Sequence, residues 1–194
     1  NDVSVGEHHR GERKVRAVFG LSAVGSLDKS IPLADQGAFV VPDQYLRGFA
    51  ASQHSFGRDA KNAHTNMSVP FDGMLRARAR RAIELEGFQA LDGGLYIYNG
   101  GDTFETPIEI QCLDKLTKAY TRRMVGMTTV PEAILCGQMK IPYAAICSTV
   151  NYAEGLSKAT PVSHEQTMKV MDVAASNLVK VARRIIECYT TEIL

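Results

Sequence analysis

Short, nearly continuous apolar runs alternate along this chain with segments that carry the signals of helix starts. Residues 15–22 and 142–150 have apolar side chains on both faces of an extended chain, as strands buried on both sides do. Shorter runs of the same kind lie at 37–42, 94–98 and 125–127. Because helices are predicted between these runs, the chain is expected to fold as an α/β protein.

Capping signals mark the predicted helices. A helix is predicted over residues 72–86. Thr106 and Glu109, with a proline directly after the threonine, predict a capping box with proline at the first helical position. Thr129 and Glu132 have the same spacing and predict a second capping box, at the start of the next helix.

Two helices carry patterns that resemble binding surfaces. In the terminal helix, predicted from residue 163 onward, seven residues spaced three and four apart predict a core-facing seam rather than a cofactor site: Met168, Met171, Ala175, Leu178, Ala182, Ile185 and Tyr189. The helix over residues 72–86 carries four arginines on several faces, followed by glutamates, which predicts a solvated surface rather than a basic patch: Arg76, Arg78, Arg80 and Arg81.

Length and charge limit the classes of partner. The chain has 194 residues, which suits one domain rather than two. Its 22 Lys and Arg residues nearly balance its 21 Asp and Glu residues, so the net charge of +1 gives no reason to expect nucleic acid or an anionic membrane as a partner. No apolar run approaches the roughly 20 residues that span a bilayer. We therefore expect neither a nucleic-acid nor a membrane partner.

The cysteines indicate the redox environment. Four are scattered along the chain and mostly lie in apolar runs: Cys112, Cys136, Cys147 and Cys188. Their spacing fits neither a zinc site nor a disulfide framework. Reduced, buried thiols in an intracellular, cytoplasmic compartment are therefore expected, and no metal site.

A polar segment is predicted to precede the folded domain. Residues 1–14 are polar and basic and are expected to form a loose end, and residues 15–194 form the predicted domain. Residues 50–68 contain Gly, Asn and Ser and predict a long loop. Such loops in compact domains are usually functional.

Small and polar residues follow three of the predicted strands, at 22–26, 127–129 and 150–151. Ligands of α/β sheets bind beyond the strand ends, so a site of nucleotide size is expected there. Small side chains at 22–26 would let a ligand approach the backbone closely, but an ordinary strand-to-loop turn also explains them.

Two segments carry candidate binding chemistry. Phe104 and Glu105 precede a predicted helix, where the carboxylate favours the helix dipole; a ring beside an acceptor would also suit a planar heterocycle that bears an N–H. At 125–132 a strand ends where a helix begins, so free backbone N–H groups and the Thr128 hydroxyl predict an anion site. A plain helix cap explains Thr129 and Glu132 but not the residues before them.

Five segments together resemble one protein family. FET at 104–106, VGMTTVPE at 125–132 and TVNYA at 149–153 resemble the trimeric purine nucleoside phosphorylase and methylthioadenosine phosphorylase family. LSAVGSL at 21–27 and VVPDQ at 40–44 resemble its methylthioadenosine branch. The resemblance implies one α/β domain with a mixed, barrel-like central sheet flanked by helices, and a homotrimer. It also implies phosphorolysis of the purine N-glycosidic bond, with inorganic phosphate as co-substrate and no cofactor.

The resemblance assigns roles residue by residue. It implies that Phe104 stacks on the purine and that Glu105 accepts a hydrogen bond from N1–H of a 6-oxopurine. Asn151 would hydrogen-bond N7 and O6 of the departing base, which makes Asn151 and Glu105 the candidate catalytic residues. Met127 would pack under the ribose, and Thr128 would bind phosphate.

Five further residues are implied to contact the substrate. Ala23 and Val24 would line the base and the sugar, and His164 matches a histidine near the 5′ group. Phe56 and His64 resemble residues that reach into the site of a neighbouring subunit.

The resemblance also bears on the base. Adenine-specific members typically have Ser in place of Glu105 and Asp in place of Asn151. Adenine lacks the N1–H that Glu105 would bind, whereas an Asp can share a proton with its N7. The residues present therefore imply a methylthioinosine-type or general 6-oxopurine phosphorylase, with methylthioadenosine still open as a substrate.

Two departures from the family keep an alternative open. Asp102 stands where the family usually has proline. The family's N-terminal phosphate loop and its His-Gly-Arg phosphate segment have no counterpart in this chain, which therefore resembles an N-terminally truncated member; His8, His9 and Arg10 are predicted to be a solvated end. The alternative is a non-catalytic phosphorylase-like subunit with a structural or assembly role.

Overall fold

The computed structural model describes residues 15–49, 55–57, 64–100, 103–153 and 164–191. These residues form one seven-stranded sheet, four α-helices and a short 3-10 helix. In chain order the elements are β1 (Val18–Ser26), the 3-10 helix (Ala34–Gln36), β2 (Ala38–Val41), β3 (Gln44–Arg47), α1 (Gly73–Leu85), β4 (Gln89–Asp92), β5 (Leu95–Tyr98), α2 (Pro107–Thr117), β6 (Arg123–Gly126), α3 (Thr129–Gln138), β7 (Tyr143–Tyr152) and α4 (His164–Thr191).

The sheet is mixed, with the strand order β3-β5-β6-β1-β7-β2-β4. The central strand β1 is parallel to β7 and antiparallel to β6. Strand β5 is parallel to β6 and to the edge strand β3. Strand β2 is antiparallel to β7 and parallel to the other edge strand, β4.

The sheet curls into an open half-barrel. Strands β2 and β5 stand four positions apart in the sheet, which would separate them by about 19 Å if the sheet were flat. Nevertheless a Cβ on Gly94, directly before β5, would lie 3.3 Å from Val40 Cγ1 of β2. The enclosed core also contains Val130 and Ile134 of α3. The predicted α/β fold with a barrel-like mixed sheet is confirmed.

Three helices cover the outer face. Helices α1 and α4 pack against β2 and β7 through a buried cluster that includes Ala79, Leu178 and Ile146. Helix α2 covers β5 and β6 through Ile110 and its neighbours. These helices explain why the strands are apolar on both faces.

The helices predicted at residues 72, 106 and 129 all begin where the sequence predicts. The Asp72 carboxylate accepts from Leu75 N–H at 2.9 Å and begins α1, and Thr106 forms the predicted capping box with Glu109. The second predicted capping box is wrong. Helix α3 already includes Thr129, and the Glu132 carboxylate accepts instead from the Tyr143 hydroxyl at 2.6 Å.

The predicted core-facing seam of α4 is wrong at two of its residues. Met168 and Ala175 are exposed, because the stripe that faces the sheet lies one residue away. Ala174 packs against the 3-10 helix and β7, and Val181 and Ile185 continue the stripe toward the C-terminal end. Leu178 and Ile185 were predicted correctly, and Met171 and Tyr189 also pack against these clusters as predicted.

The arginines of α1 are not a simple solvated surface. Arg76 and Arg80 both pair with Asp92 of β4, at 2.6 and 3.0 Å, and the Arg78 guanidinium lies 4.3 Å from the centre of the Tyr189 ring. Three of the four arginines therefore attach α1 to neighbouring elements.

An ion pair fixes the segment that follows β1. Arg123 donates to Asp28 at 2.6 Å and to Asp114 of α2 at 2.7 Å, and its side chain is largely buried. Partial burial raises the pKa of Asp28, but the hydrogen bonds and the charge of Arg123 outweigh this effect and hold it below its ordinary value. The pair holds β1, β6 and α2 together beside the carboxyl end of β1.

All four cysteines are free thiols, but the expectation that they are buried is wrong for Cys112, which is exposed on α2. Cys147 is fully buried, and burial raises the pKa of its thiol. No helix within the described ranges is long and apolar enough to cross a membrane. Within the same ranges, no cluster of three His, Cys, Asp or Glu side chains could hold a metal ion. Residues 1–14, predicted to be a loose end, lie outside the described residues.

Candidate active site

One pocket of about 320 Å³ lies where β1, β6 and β7 end. The segment before α2 and the first turns of α4 complete its wall. Its lining residues are Leu21, Ser22, Ala23, Val24, Gly25, Phe104, Glu105, Val125, Gly126, Met127, Thr128, Val150, Asn151, Thr167 and Met171. The cavity is at the three strand ends where a site of nucleotide size was expected.

Most of the predicted site residues meet in this pocket. Seven of the ten line it: Ala23, Val24, Phe104, Glu105, Met127, Thr128 and Asn151. Phe56 and His64 do not line it. His164 is the first residue of α4, and its side chain lies outside the described atoms.

A register shift between β1 and β7 sets the position of Asn151. Val24 pairs with Thr149, whereas the next residue, Gly25, pairs with Asn151, so one residue of β7 is extra. A Cβ on Gly25 would lie 3.4 Å from the Asn151 amide nitrogen and 3.2 Å from Val125 Cγ1. Glycine thus leaves room for the Asn151 side chain at the pocket wall.

The Glu105 carboxylate is held at one oxygen. The Asn99 amide, directly after β5, donates to Glu105 Oε1 at 3.3 Å. Asn99 is only 8% exposed, and its backbone N–H donates to the Gly126 carbonyl at 3.1 Å. Glu105 is therefore presented to the pocket from a buried support.

The Phe104 ring is available to a ligand. Its side chain is 54% exposed at the pocket, beside the carboxylate of Glu105. An exposed aromatic face next to an acceptor can stack on a planar ring and bind an N–H in the plane of that ring.

Thr128 belongs to a cluster of hydroxyl groups. Its Oγ1 lies 3.3 Å from Ser22 Oγ, which lies 3.4 Å from the Tyr96 hydroxyl. The Tyr96 hydroxyl in turn accepts from the backbone N–H groups of Thr128 and Thr129, at 3.3 and 3.4 Å. A Cβ on Gly126 would clash with this hydroxyl, so glycine is required there.

This cluster corrects the predicted anion site. The sequence predicted free backbone N–H groups at the start of α3, but two of them already donate to Tyr96. The Thr128 hydroxyl, on an exposed side chain, remains the donor that the pocket offers there. No lysine, arginine or histidine is among the described lining residues, and Glu105 adds a carboxylate.

Phe56 lies at the other end of α3, and His64 directly precedes Thr65, whose Cγ2 would lie 3.2 Å from a Cβ on Gly137 near the same end. The Phe56 backbone N–H donates to Gln138 Oε1 at 3.1 Å, at the last residue of this helix. Both side chains are exposed. Neither contributes to the pocket of its own chain.

Sequence reasoning missed several residues of the site. Tyr96 of β5 accepts from the Thr128 N–H, and Asn99, directly after β5, donates to Glu105. The sequence carried a signal only for Asn99, which is a polar residue at the end of an apolar strand. Met171 was interpreted as core and does pack against a buried cluster, but it also lines the pocket with Thr167, one turn before it on α4.

Comparison with known proteins identifies the family of this chain. The chain matches the family described as the phosphorylase superfamily over residues 3–187. The chain belongs to this superfamily. Among its relatives is a probable S-methyl-5'-thioinosine phosphorylase of Methanothermobacter thermautotrophicus, 34% identical over 182 residues, which are 93% of this chain and 60% of that protein.

A second relative and a solved structure are also similar to this chain. A probable 6-oxopurine nucleoside phosphorylase of Moorella thermoacetica is 32% identical over 167 residues, 85% of this chain and 61% of that protein. The chain thus spans less than two thirds of the length of these relatives. A crystal structure of methylthioadenosine phosphorylase from an antarctic soil metagenomic library shares the fold, with a TM-score of 0.78 over 92% of this chain and 61% of that one at 23% identity.

Proposed function

We propose that this chain carries the base- and sugar-binding part of an enzyme that cleaves purine nucleosides and their 5′-methylthio analogues with inorganic phosphate. The products are the free purine and ribose 1-phosphate or methylthioribose 1-phosphate. The observation that carries the proposal is the meeting of the Phe104 ring, the Glu105 carboxylate and the Asn151 amide in one pocket. The named relatives support it.

The polar groups favour a 6-oxopurine. The Glu105 carboxylate is an acceptor and suits the N1–H of hypoxanthine or guanine, whereas adenine has an unprotonated N1. An amide such as Asn151 can donate to N7 and accept from or donate to the group at C6, depending on its orientation. Methylthioinosine and inosine are therefore the preferred substrates, and methylthioadenosine is a weaker one.

The sugar is assigned to the opposite part of the pocket. Met127 would pack under the ribose, with Ala23 and Val24 between sugar and base. Leu21 of β1 and Met171 of α4 also line the pocket, and His164 begins α4. The apolar side chains of Leu21 and Met171 suit a methylthio group at the 5′ position.

The reaction needs one displacement. A phosphate oxygen forms a bond to C1′ of the ribose while the bond from C1′ to N9 breaks, and its electron pair moves onto the purine. The Asn151 amide then donates to N7, where the negative charge grows. A preorganised donor of this kind lowers a barrier by a few kcal/mol, about 3 by analogy with oxyanion holes.

Phosphate is the part of the site that the described residues supply least. The Thr128 hydroxyl is assigned to it, but a buried phosphate dianion without Arg, Lys or His partners is costly. We infer that cationic groups outside the described residues complete the phosphate site. Phosphate is the co-substrate, and the proposal includes no cofactor or metal.

Assembly is proposed as a homotrimer in the cytoplasm, with neither nucleic acid nor membrane as partner. Phe56 and His64 support a trimer because they are exposed and lie away from the pocket of their own chain. In this arrangement they reach the site of a neighbouring copy.

A second candidate function is a non-catalytic subunit that binds purines without turnover. The lack of a cationic side chain among the described lining residues favours it. It shares the base-binding chemistry with the enzyme and differs only in phosphate binding.

Calorimetry and initial rates test both candidates. Hypoxanthine should bind the 194-residue chain more than about tenfold more tightly than adenine, since a site built to bind N1–H leaves its acceptor unpaired with adenine. Initial rates measured on the full-length protein should also be higher for the 6-oxopurine substrates than for the adenine substrates. The substrates to compare are inosine, methylthioinosine, adenosine and methylthioadenosine. A preference for the adenine pair would refute the base assignment. If the full-length protein binds the base without turnover, the non-catalytic subunit is favoured.

A further inference from the structure

The hydrogen bond between Asn99 and Glu105 has a fixed donor and acceptor. Asn99 follows β5 directly, and its backbone N–H is fixed to the Gly126 carbonyl of β6 at 3.1 Å. Its side chain is 8% exposed, so it has little freedom to turn toward solvent. From this position the amide nitrogen donates to Glu105 Oε1 at 3.3 Å.

A donating amide restricts what Glu105 can do. Because Oε1 receives an N–H, the contact uses Glu105 as a hydrogen-bond acceptor. No other hydrogen bond to Glu105 is made by a residue in the described ranges, so its second oxygen is left for a ligand N–H. Glu105 is also the only ionisable side chain among the described residues that line the pocket.

We propose that Asn99 is a positioning residue that fixes Glu105 as a hydrogen-bond acceptor and thereby sets the preference of the pocket for 6-oxopurines over 6-aminopurines. The proposal rests on the proposed function, because it assumes that Glu105 faces the purine base. Asn99 itself acts through Glu105.

The proposal gives different expectations for the adenine affinity of two variants of nearly the same size. Asn99→Leu removes the donor and frees Glu105 to turn. Asn99→Asp places a second carboxyl group against Glu105, and two carboxylates in contact share a proton. When that one proton lies on the outward oxygen of Glu105 rather than between the two groups, the pair can donate it to the unprotonated N1 of adenine.

Calorimetric titration with hypoxanthine and adenine tests the proposal on the 194-residue chain. Asn99→Leu should lower the hypoxanthine affinity about tenfold and leave the adenine affinity nearly unchanged. Asn99→Asp should lower the hypoxanthine affinity and raise the adenine affinity, and this gain should disappear as the pH rises and the shared proton is lost. Asn177→Asp on α4 makes the same change outside the pocket and should shift neither affinity.

The outcomes separate this proposal from the proposed function. If the unmodified chain fails to bind hypoxanthine, the proposed base-binding function is wrong. If it binds hypoxanthine but both Asn99 variants keep its ratio of hypoxanthine to adenine affinity, the role of Asn99 is wrong. Equal losses for both bases would show a structural role only. If Asn99→Leu does not fold, Asn99→Asp decides by its base ratio and its pH dependence.

Discussion

Replacing Tyr96 by phenylalanine removes one buried oxygen atom that two backbone N–H groups use. The Tyr96 side chain is fully buried, and its hydroxyl accepts from Thr128 and Thr129 at the start of α3. Thr128 is exposed, so water can replace the lost acceptor for its N–H. Thr129 is fully buried, so its N–H would lose its acceptor without compensation.

The cost follows from that difference. One orphaned buried donor costs about 1–3 kcal/mol, so we expect Tyr96→Phe to lower the free energy of unfolding by about 2 kcal/mol. For a chain of this size that corresponds to a fall of about 4–8 °C in Tm. Urea unfolding followed by circular dichroism measures the change.

Tyr45→Phe on β3 is the matched control. The Tyr45 ring packs edge-on against Phe71, which phenylalanine preserves, and its hydroxyl bonds to no side chain or backbone group in the described part of the chain. It should change stability by less than about 0.5 kcal/mol. If Tyr96→Phe is equally mild, the N–H groups of α3 have another acceptor. The correction to the anion site would then be wrong.

Three further predictions concern the base, the ion pair and the neighbouring copy. Asn151→Asp should shift the ratio of hypoxanthine to adenine affinity toward adenine by about tenfold, since a protonated aspartic acid can donate to N7; an unchanged ratio would separate Asn151 from the base. Arg123→Met should lower the free energy of unfolding by about 2–3 kcal/mol at pH 7, because it leaves Asp28 partly buried without its cation. Since the pKa of Asp28 is lowered by folding, its contribution is complete above about pH 4 and is lost as the pH falls through the folded value, so the Arg123→Met loss should shrink in acid; a loss independent of pH would contradict this. Phe56→Ala should weaken inosine binding without changing Tm, and sedimentation should show a trimer; a monomer with full affinity would refute the shared site.

The central strands could be predicted because their apolar runs are long. Residues 15–22 and 142–150 indicated β1 and β7, although both strands continue further than predicted and carry site residues such as Ala23 and Asn151 within the strand. The edge strands β3 and β4 were missed. Each has only four residues and none of them is fully buried, so neither gives a clear apolar pattern.

Contacts between distant residues explain the other errors. The sequence around α3 shows a capping box, but Glu132 finds Tyr143 eleven residues later and Thr128 lies against Tyr96, from 32 residues earlier. Likewise Arg76 and Arg80 gain a role only when the fold brings Asp92 beside them. Local pattern gives the elements, and the site depends on which of them become neighbours.

Helix α3 acts as a spacer between two parts of the molecule. Its ten residues place the Cα atoms of Thr128 and Gln138 about 15 Å apart along the axis. Gln138 accepts a hydrogen bond from the Phe56 N–H, and a Cβ on Gly137 would lie 3.0 Å from Met67 Sδ. The segments that contain Phe56 and Met67 therefore pack against the C-terminal end of α3. In a single chain Phe56 therefore lies at the end of α3 opposite the pocket that Thr128 lines. Dilution below the concentration at which copies associate should remove whatever Phe56 contributes to binding, while the contacts made by Glu105 persist.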